Sequence, residues 1–480
     1  MTRARTALFW GLAAALVIGH VIVAWHSLFV WRLWEDEAFN LTVPRNLLAG
    51  LGYSSDGALS GSTITPFDPR ISTGPVVLLP VAAVLATGAD LVIGARLVPL
   101  TYWVLLLVGL ALIGRRIGGR WAALLAVTVP LAFITSAGVS PIQGPADLLG
   151  EIPAAALLVW ALLALPRRAW VAGLLVGLAV QAKLIALLAL PAFAVALLLL
   201  ADGRGWARVR NTLRRSWLPL LLVAAPTMLF ELAALLSLGL GGYVDHLRAL
   251  VAFVRSGGQG ASTTVLQKLQ TFADSWSGPA AITVIGLVLL AVIIVTGVVF
   301  ARRSSTAGDR LVIAYASAAA VGVLTFIGWW ATASQLPLWV RHPAVGIYAF
   351  LPVLAAVAVW SARRIPRGAT ARITVAATSV LALLIGIGAA MHVASSYESR
   401  GQTLERQRAA VAPLTEWVAE TGTEWLAAQP WGAAVPAVVL TGAHVGLFDA
   451  PAMLETPRLT GAECATQTLA EGGYRICAAP

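Results

Sequence analysis

The sequence predicts an all-α protein that crosses a membrane many times, with about eleven transmembrane helices, and then a small polar α/β domain. Three observations predict it. Of the 480 residues, 59% are hydrophobic and 11% charged, with a mean hydropathy of +0.84. That is more apolar surface than a water-soluble core uses. The apolar residues fall in runs of about 20, the length that spans a bilayer. The basic residues gather in every second loop between the runs, as cytoplasmic loops require.

The first run, in "MTRARTALFWGLAAALVIGHVIVAW", has arginines ahead of it but no small-residue cleavage site, so it reads as an uncleaved span rather than a signal peptide. The expected spans are 7–31, 91–114, 121–138, 148–165, 169–183, 185–201, 216–238, 279–300, 309–330, 343–361 and 371–391. The fifth and sixth are short and tightly joined around Lys183. With the N-terminus inside, the cytoplasmic loops hold Arg3 and Arg5; Arg115, Arg116 and Arg120; Arg167 and Arg168; Arg204 through Arg215; Arg302, Arg303 and Arg310; and Arg363 through Arg372. These are 19 of the 33 basic residues, against two acids, Asp202 and Asp309. The net charge of +11 is therefore a topology signal, and no basic face remains for nucleic acid.

The apolar stretch 74–88 is not counted, because it would place Arg115 to Arg120 outside. It is expected to lie in, or dip into, the outer interface. The first outer loop, 32–90, thus carries interfacial helices, one of them at 37–49 with Asp36 as its cap, Gly50 as its close and Pro44 as a mismatch. Residues 1–391 form the expected membrane domain and 392–480 an extracytoplasmic tail. In the tail, 400–422 has helical spacing and "AVVLTGAHVGLF" reads as strand and turn. Cys464 and Cys477 lie thirteen apart with no histidine nearby, which is poor for zinc. In an oxidising compartment a disulfide is favoured over two free thiols. No internal repeat, low-complexity segment or soluble nucleotide-binding motif is present.

This topology brings unusual residues to one membrane edge. Asp36, Glu37, Asp68 and Arg70 fall in the first outer loop, and Gln143, Asp147 and Glu151 at the outer start of the fourth span. Lys183 falls at an outer turn, and Arg341 and His342 at the outer start of the tenth span. Each has a plainer explanation: a helix cap for Asp36, acids at a helix N-terminus for Asp147 and Glu151, a snorkelling chain for Lys183, a stop residue for Arg341. Glu231 lies within the seventh span, where a lone carboxylate is costly and suggests function or an interhelical contact. His20 and His26 read as packing.

Acids and bases at one membrane edge suit transfer of a sugar from a polyprenyl phosphate, whose scissile bond sits at the lipid–water boundary. A carboxylate takes the proton of an acceptor hydroxyl, and cationic groups or a divalent cation stabilise the departing phosphate. A transporter or flippase of a lipid-linked sugar is the main alternative. It is expected to show inverted repeats and broken helices at the midplane, which the sequence lacks.

The order of these motifs carries a resemblance: a first span followed by Asp36-Glu37, an outer loop with "GLGY", the patch "FDPRISTGP", then "ARLVPL", an outer acid and "GLLVGLAVQAKLIALLALP". It resembles the polyprenyl-phosphate-dependent GT-C glycosyltransferases, in the branch of protein O-mannosyltransferases and lipid A aminoarabinose transferases. It covers about residues 1–200 and returns at "WVRHPAVGIYAFLP". The resemblance implies the GT-C fold and inverting transfer at the outer face of the cytoplasmic membrane to a glycan, glycolipid or protein acceptor. It implies Asp36 as general base, with Glu37 structuring the loop. The family's second patch is often Glu-Lys before two prolines; here Asp68, Pro69 and Arg70 stand in its place. Glu151 and Lys183 match an acid and a candidate phosphate-binding lysine of the family. Members differ over a divalent metal, so a divalent cation stays open and no other cofactor is implied.

Overall fold

The computed structural model describes residues 3–57, 63–134, 142–255, 262–276, 279–303, 306–397, 402–430, 432–448, 450–464, 466–471 and 473–478. Every expected span is helical over most of its described length. α1 (Arg3–Trp25) runs on through one π turn, His26–Val30. α4 (Leu91–Ala132) contains two spans, because Gly118 and Gly119 leave helical geometry and reverse the chain. Gly119 has φ +73°, a conformation that favours glycine. A Cβ at Gly114 would lie 2.7 Å from the Cα of Ala123, so the hairpin closes only without a side chain there.

The next two helices are short: α5 (Glu151–Ala164), which starts three residues later than expected, and α6 (Ala169–Ala182) have 14 residues each. At about 1.5 Å per residue that is roughly 21 Å, against a hydrocarbon layer of about 30 Å. The remaining distance on the fourth span belongs to non-helical chain, whose described residues 142–150 are mostly buried. Such backbone is tolerated in a membrane only where protein covers it. Lys183 is extended (φ −154°, ψ 120°) and separates α6 from a 3-10 turn, Leu184–Ala189, that leads into α7 (Leu190–Leu200).

Long helices complete the bundle: α8 (Gly205–Arg255), broken at Gly239, α10 (Ala280–Arg303), α11 (Ala307–Thr332), α12 (Arg341–Arg364) and α13 (Ala369–Ser395). α9 (Val265–Asp274) precedes α10. α12 is apolar on all sides and buried by its neighbours, as such a helix must be. By contrast α8 turns Trp217, Leu220, Leu229, Leu236 and Leu240 outward, a face suited to lipid.

The arginine-rich loops meet at one edge. Arg116 donates to Leu163 O and Tyr315 Oη, Arg363 donates to Gly118 O, and Arg364 pairs with Asp309. The candidate site residues are absent from these contacts.

The first outer loop differs from expectation in two ways. α2 (Glu35–Leu48) starts earlier, its cap is Trp34, and that cap makes no side-chain hydrogen bond. Asp36 is therefore inside the first turn and is not the cap. α2 also runs through Pro44 and is buried along most of its length, so it is a packed helix rather than one lying on lipid. A short hairpin follows, β1 (Ser54–Asp56) with β2 (Ile64–Pro66), and then α3 (Pro75–Leu85).

In the tail, α14 (Leu404–Thr421) precedes a five-stranded sheet in the order β4-β3-β5-β7-β6. The strands are β3 (Trp425–Ala428), β4 (His444–Leu447), β5 (Arg458–Thr460), β6 (Gln467–Glu471) and β7 (Tyr474–Cys477). β3 pairs in parallel with β4 and β5, and β7 is antiparallel to β5 and β6. α15 (Val435–Thr441) takes the first half of "AVVLTGAHVGLF", where a strand was expected, and β4 takes most of the second. A parallel β3–β4 pair needs a crossover, and Gly442 (φ +91°) ends that helix. Cys464 and Cys477 form a disulfide.

Candidate functional site

Asp36 projects from the first turn of α2 and pairs through Oδ2 with Arg341 at the start of α12. The side chains are 15% and 9% exposed, so the pair is largely withdrawn from water. The Arg341 guanidinium lies 4.6 Å from the ring centre of Trp339 and 5.7 Å from that of Trp34. Trp339 also stacks on His342, 5.6 Å between centres with rings 5° from parallel. Aromatic faces thus fix the cation beside the carboxylate.

Glu37, next in sequence, points into the protein. Arg96 binds it at 2.6 and 3.0 Å and spends its other donors on Trp31 O and Arg32 O. Both side chains of the pair are 1% exposed. Glu37 also accepts from Leu148 N at 3.1 Å, which ties α2 to the 142–150 segment. Asp147 accepts from Gln143 N at 2.5 Å and leaves Oδ1 without a hydrogen bond among the described residues. Gln143 lines a cavity together with Trp103, Tyr348 and His392.

Glu151 and Lys183 form a third ion pair, at 3.1 Å, with Glu151 2% exposed. The break after α6 presents Lys183, and Gly150 permits the approach, since a Cβ there would lie 2.0 Å from Ala182 O.

Asp68 and Arg70 make a fourth group. Arg70 donates to both Asp68 oxygens, at 2.8 and 2.6 Å, and His246 approaches Oδ2 at 3.0 Å. Burial raises the Asp68 carboxyl, but the hydrogen bonds from His246 and Arg70 outweigh it and bring it down to about 2. Arg70 reaches Glu231 at 3.3 Å, and Tyr243 donates to that carboxylate at 2.6 Å. Glu231 is therefore no lone carboxylate; it belongs with Asp68 and Arg70.

Asn40 joins these groups. Its side chain donates to Thr73 Oγ1 and Leu148 O and accepts from Ser72. Gly74 N donates to Ala182 O, bringing the 67–74 loop against Lys183. Sequence reasoning missed Asn40, Arg96, Tyr243 and His246. Arg96 had a signal, being a charge inside an apolar span; the other three had none.

Among the described residues, no group of three or more His, Cys, Asp and Glu side chains is placed to hold a metal ion. Asp36, Glu37, Asp68 and Glu151 each face a cation instead.

No family model matches the chain, and no curated protein matches it. Its fold does match solved structures. The structure of ArnT from Cupriavidus metallidurans in the apo state has a TM-score of 0.60 at 11% identity, over 100% of this chain and 99% of that one. The same protein bound to undecaprenyl phosphate gives 0.58 at 11% identity, over 98% of each chain. An Archaeoglobus fulgidus oligosaccharyltransferase gives 0.48 at 14% identity, over 90% of this chain and 62% of that one. The chain thus has the GT-C fold that ArnT has, along its whole length, including the small sheet-bearing tail.

Proposed function

We propose that the chain is a membrane glycosyltransferase that moves a sugar, with inversion, from a polyprenyl-phosphate donor to a hydroxyl acceptor at the outer face of the cytoplasmic membrane. The observation that carries the reading is the Asp36–Arg341 pair, a carboxylate and a guanidinium held together between the first turn of α2 and the start of α12; Glu151–Lys183 and Asp68–Arg70 are two further acid–base pairs. The shared fold with a protein solved bound to undecaprenyl phosphate supports the donor class.

Asp36 Oδ2 is bound by Arg341, and Oδ1 has no hydrogen bond among the described residues. In the reaction an acceptor hydroxyl oxygen attacks the anomeric carbon from the face opposite the phosphate. Asp36 takes the hydroxyl proton as the new C–O bond forms. The bond from the anomeric carbon to the phosphate oxygen breaks, and its electron pair leaves with the polyprenyl phosphate. Arg341, Lys183 and Arg70 supply positive charge toward that leaving group in a site poor in water. Glu37 orients α2 through Arg96, and Asp68 orients Arg70. Glu151 holds Lys183, while Asp147, Gln143 and His342 shape the wall beside the reacting groups.

The test is incubation of purified protein with a labelled polyprenyl-phosphate sugar and a panel of hydroxyl acceptors. Release of polyprenyl phosphate together with an inverted glycoside supports the reading. Movement of intact donor across vesicles without cleavage would replace it with the transporter alternative.

A further inference from the structure

The tail holds the segment that carries Asp36 at both ends. Upstream, the Gln407 side chain accepts from Leu33 N at 2.8 Å and donates to Leu33 O at 2.9 Å, three residues before Asp36. Gln407 is 1% exposed, so water does not substitute for either bond. Thr403 pairs with Trp31 in an isolated antiparallel bridge beside it. Arg408, on the same helix, binds Asp90 at 2.7 and 2.8 Å. Asp90 caps α4 through Val92 N and Ile93 N, and α4 presents Arg96 to Glu37.

Downstream, Arg45 at the end of α2 donates to the terminal carbonyls of α15, Val439 O and Gly442 O. Asp56 accepts from Asn46 of α2 and from Val445 N of β4, at 2.8 and 3.0 Å. Side chains of α14 thus grip the backbone just before Asp36, and groups of α15 and β4 grip the far end of the same helix. Leu33 lies in extended chain between the π turn and α2, a stretch with no helical hydrogen bonds to hold it. Gln407 takes both of its backbone polar groups, fixing the direction in which α2 starts.

Resting on the glycosyltransferase reading, we propose that the tail is part of the catalytic apparatus and that Gln407 is a positioning residue for Asp36. It touches no reacting atom. It acts by setting the place of the Trp31–Glu35 segment, from which Asp36 meets Arg341. Losing that restraint lets the base drift by a fraction of its reach, and a misplacement of about 1 Å costs about 100-fold in rate.

The experiment compares full-length wild type, Gln407→Leu, Gln407→Glu and, as a control, Ile476→Ala. Ile476 is buried in β7 and takes no part in the contacts with α2, so its truncation opens a cavity in the tail and leaves those contacts in place. Donor turnover is read as kcat and KM, and amide hydrogen exchange is read over residues 31–38. Gln407→Leu is expected to lower kcat about 10- to 100-fold with the donor KM within about twofold, and to speed exchange at 31–38. Gln407→Glu still accepts from Leu33 N and is expected to recover part of that loss. Ile476→Ala is expected to keep kcat while lowering thermal stability. Wild-type kcat in Gln407→Leu, or a kcat loss in Ile476→Ala equal to that of Gln407→Leu, overturns the proposal. Absence of sugar transfer by the wild type overturns instead the reading on which it rests.

Discussion

Arg96→Met removes a guanidinium that is 1% exposed and keeps most of the side chain's volume. Four acceptor oxygens lose a donor: both oxygens of Glu37, of which Oε1 keeps only Leu148 N, and the carbonyls of Trp31 and Arg32. A buried carboxylate stripped of its partner typically costs 3–5 kcal/mol. Two carbonyls left to find new donors add about 1 kcal/mol or more. The expected loss is thus about 4 kcal/mol or more. Replacing Glu37 by Gln in the same protein removes the stranded charge, while the amide oxygen can still accept from Leu148 N. The double variant is therefore expected to recover about 2 kcal/mol, a coupling of the size shared by residues in direct contact. The assay is denaturant unfolding in detergent of wild type, both single variants and the double variant, followed by tryptophan fluorescence. Effects that add to within about 0.5 kcal/mol would refute the buried pair as the anchor of α2.

Three further outcomes are expected. Arg70→Ala, Lys183→Ala or Arg341→Ala lowers donor turnover, at least one of them by about tenfold; normal turnover in all three places the donor phosphate elsewhere. Asp68 sits below its unfolded range, so its contribution to stability is present above about pH 4 and is lost as pH falls through about 2. Thermal midpoints of Asp68→Asn are expected to change less than wild type over that window, and an equal slope contradicts the assignment. Without reductant, the unfolded protein is expected to resist a maleimide at Cys464 and Cys477, and reducing that bond costs about 3 kcal/mol by loop entropy.

The spans were legible because lipid imposes a length and a composition that few other environments demand. The Gly118–Gly119 hairpin followed from the same constraint, with Arg115, Arg116 and Arg120 around it. The start of α5 was not legible, because protein rather than lipid covers the missing length, whereas α6 ends one residue short of its expected bound. The Asp36-Glu37 pair pointed to a site but not to its internal geometry. Only packing reveals that Asp36 faces Arg341 while Glu37 faces Arg96, 305 and 59 residues away. His246 meets Asp68 across 178 residues, and Gln407 meets Leu33 across 374. Such partners are chosen by tertiary contact, and no periodicity or local spacing records them. "AVVLTGAHVGLF" misled for a related reason: β-branched residues suit a strand, but a parallel crossover needed the first of them in a helix.

The central claim is that Asp36 is the general base. Asp36→Asn keeps the shape of the side chain and an oxygen for Arg341 but does not take a proton. With the labelled donor and a working acceptor, it is expected to lower kcat by about 100- to 10,000-fold while elution and thermal midpoint stay near wild type. Glu37→Gln is expected to cost less in kcat and more in stability. Full activity in Asp36→Asn would contradict the account, and a reversal of the two kcat effects would move the base to Glu37.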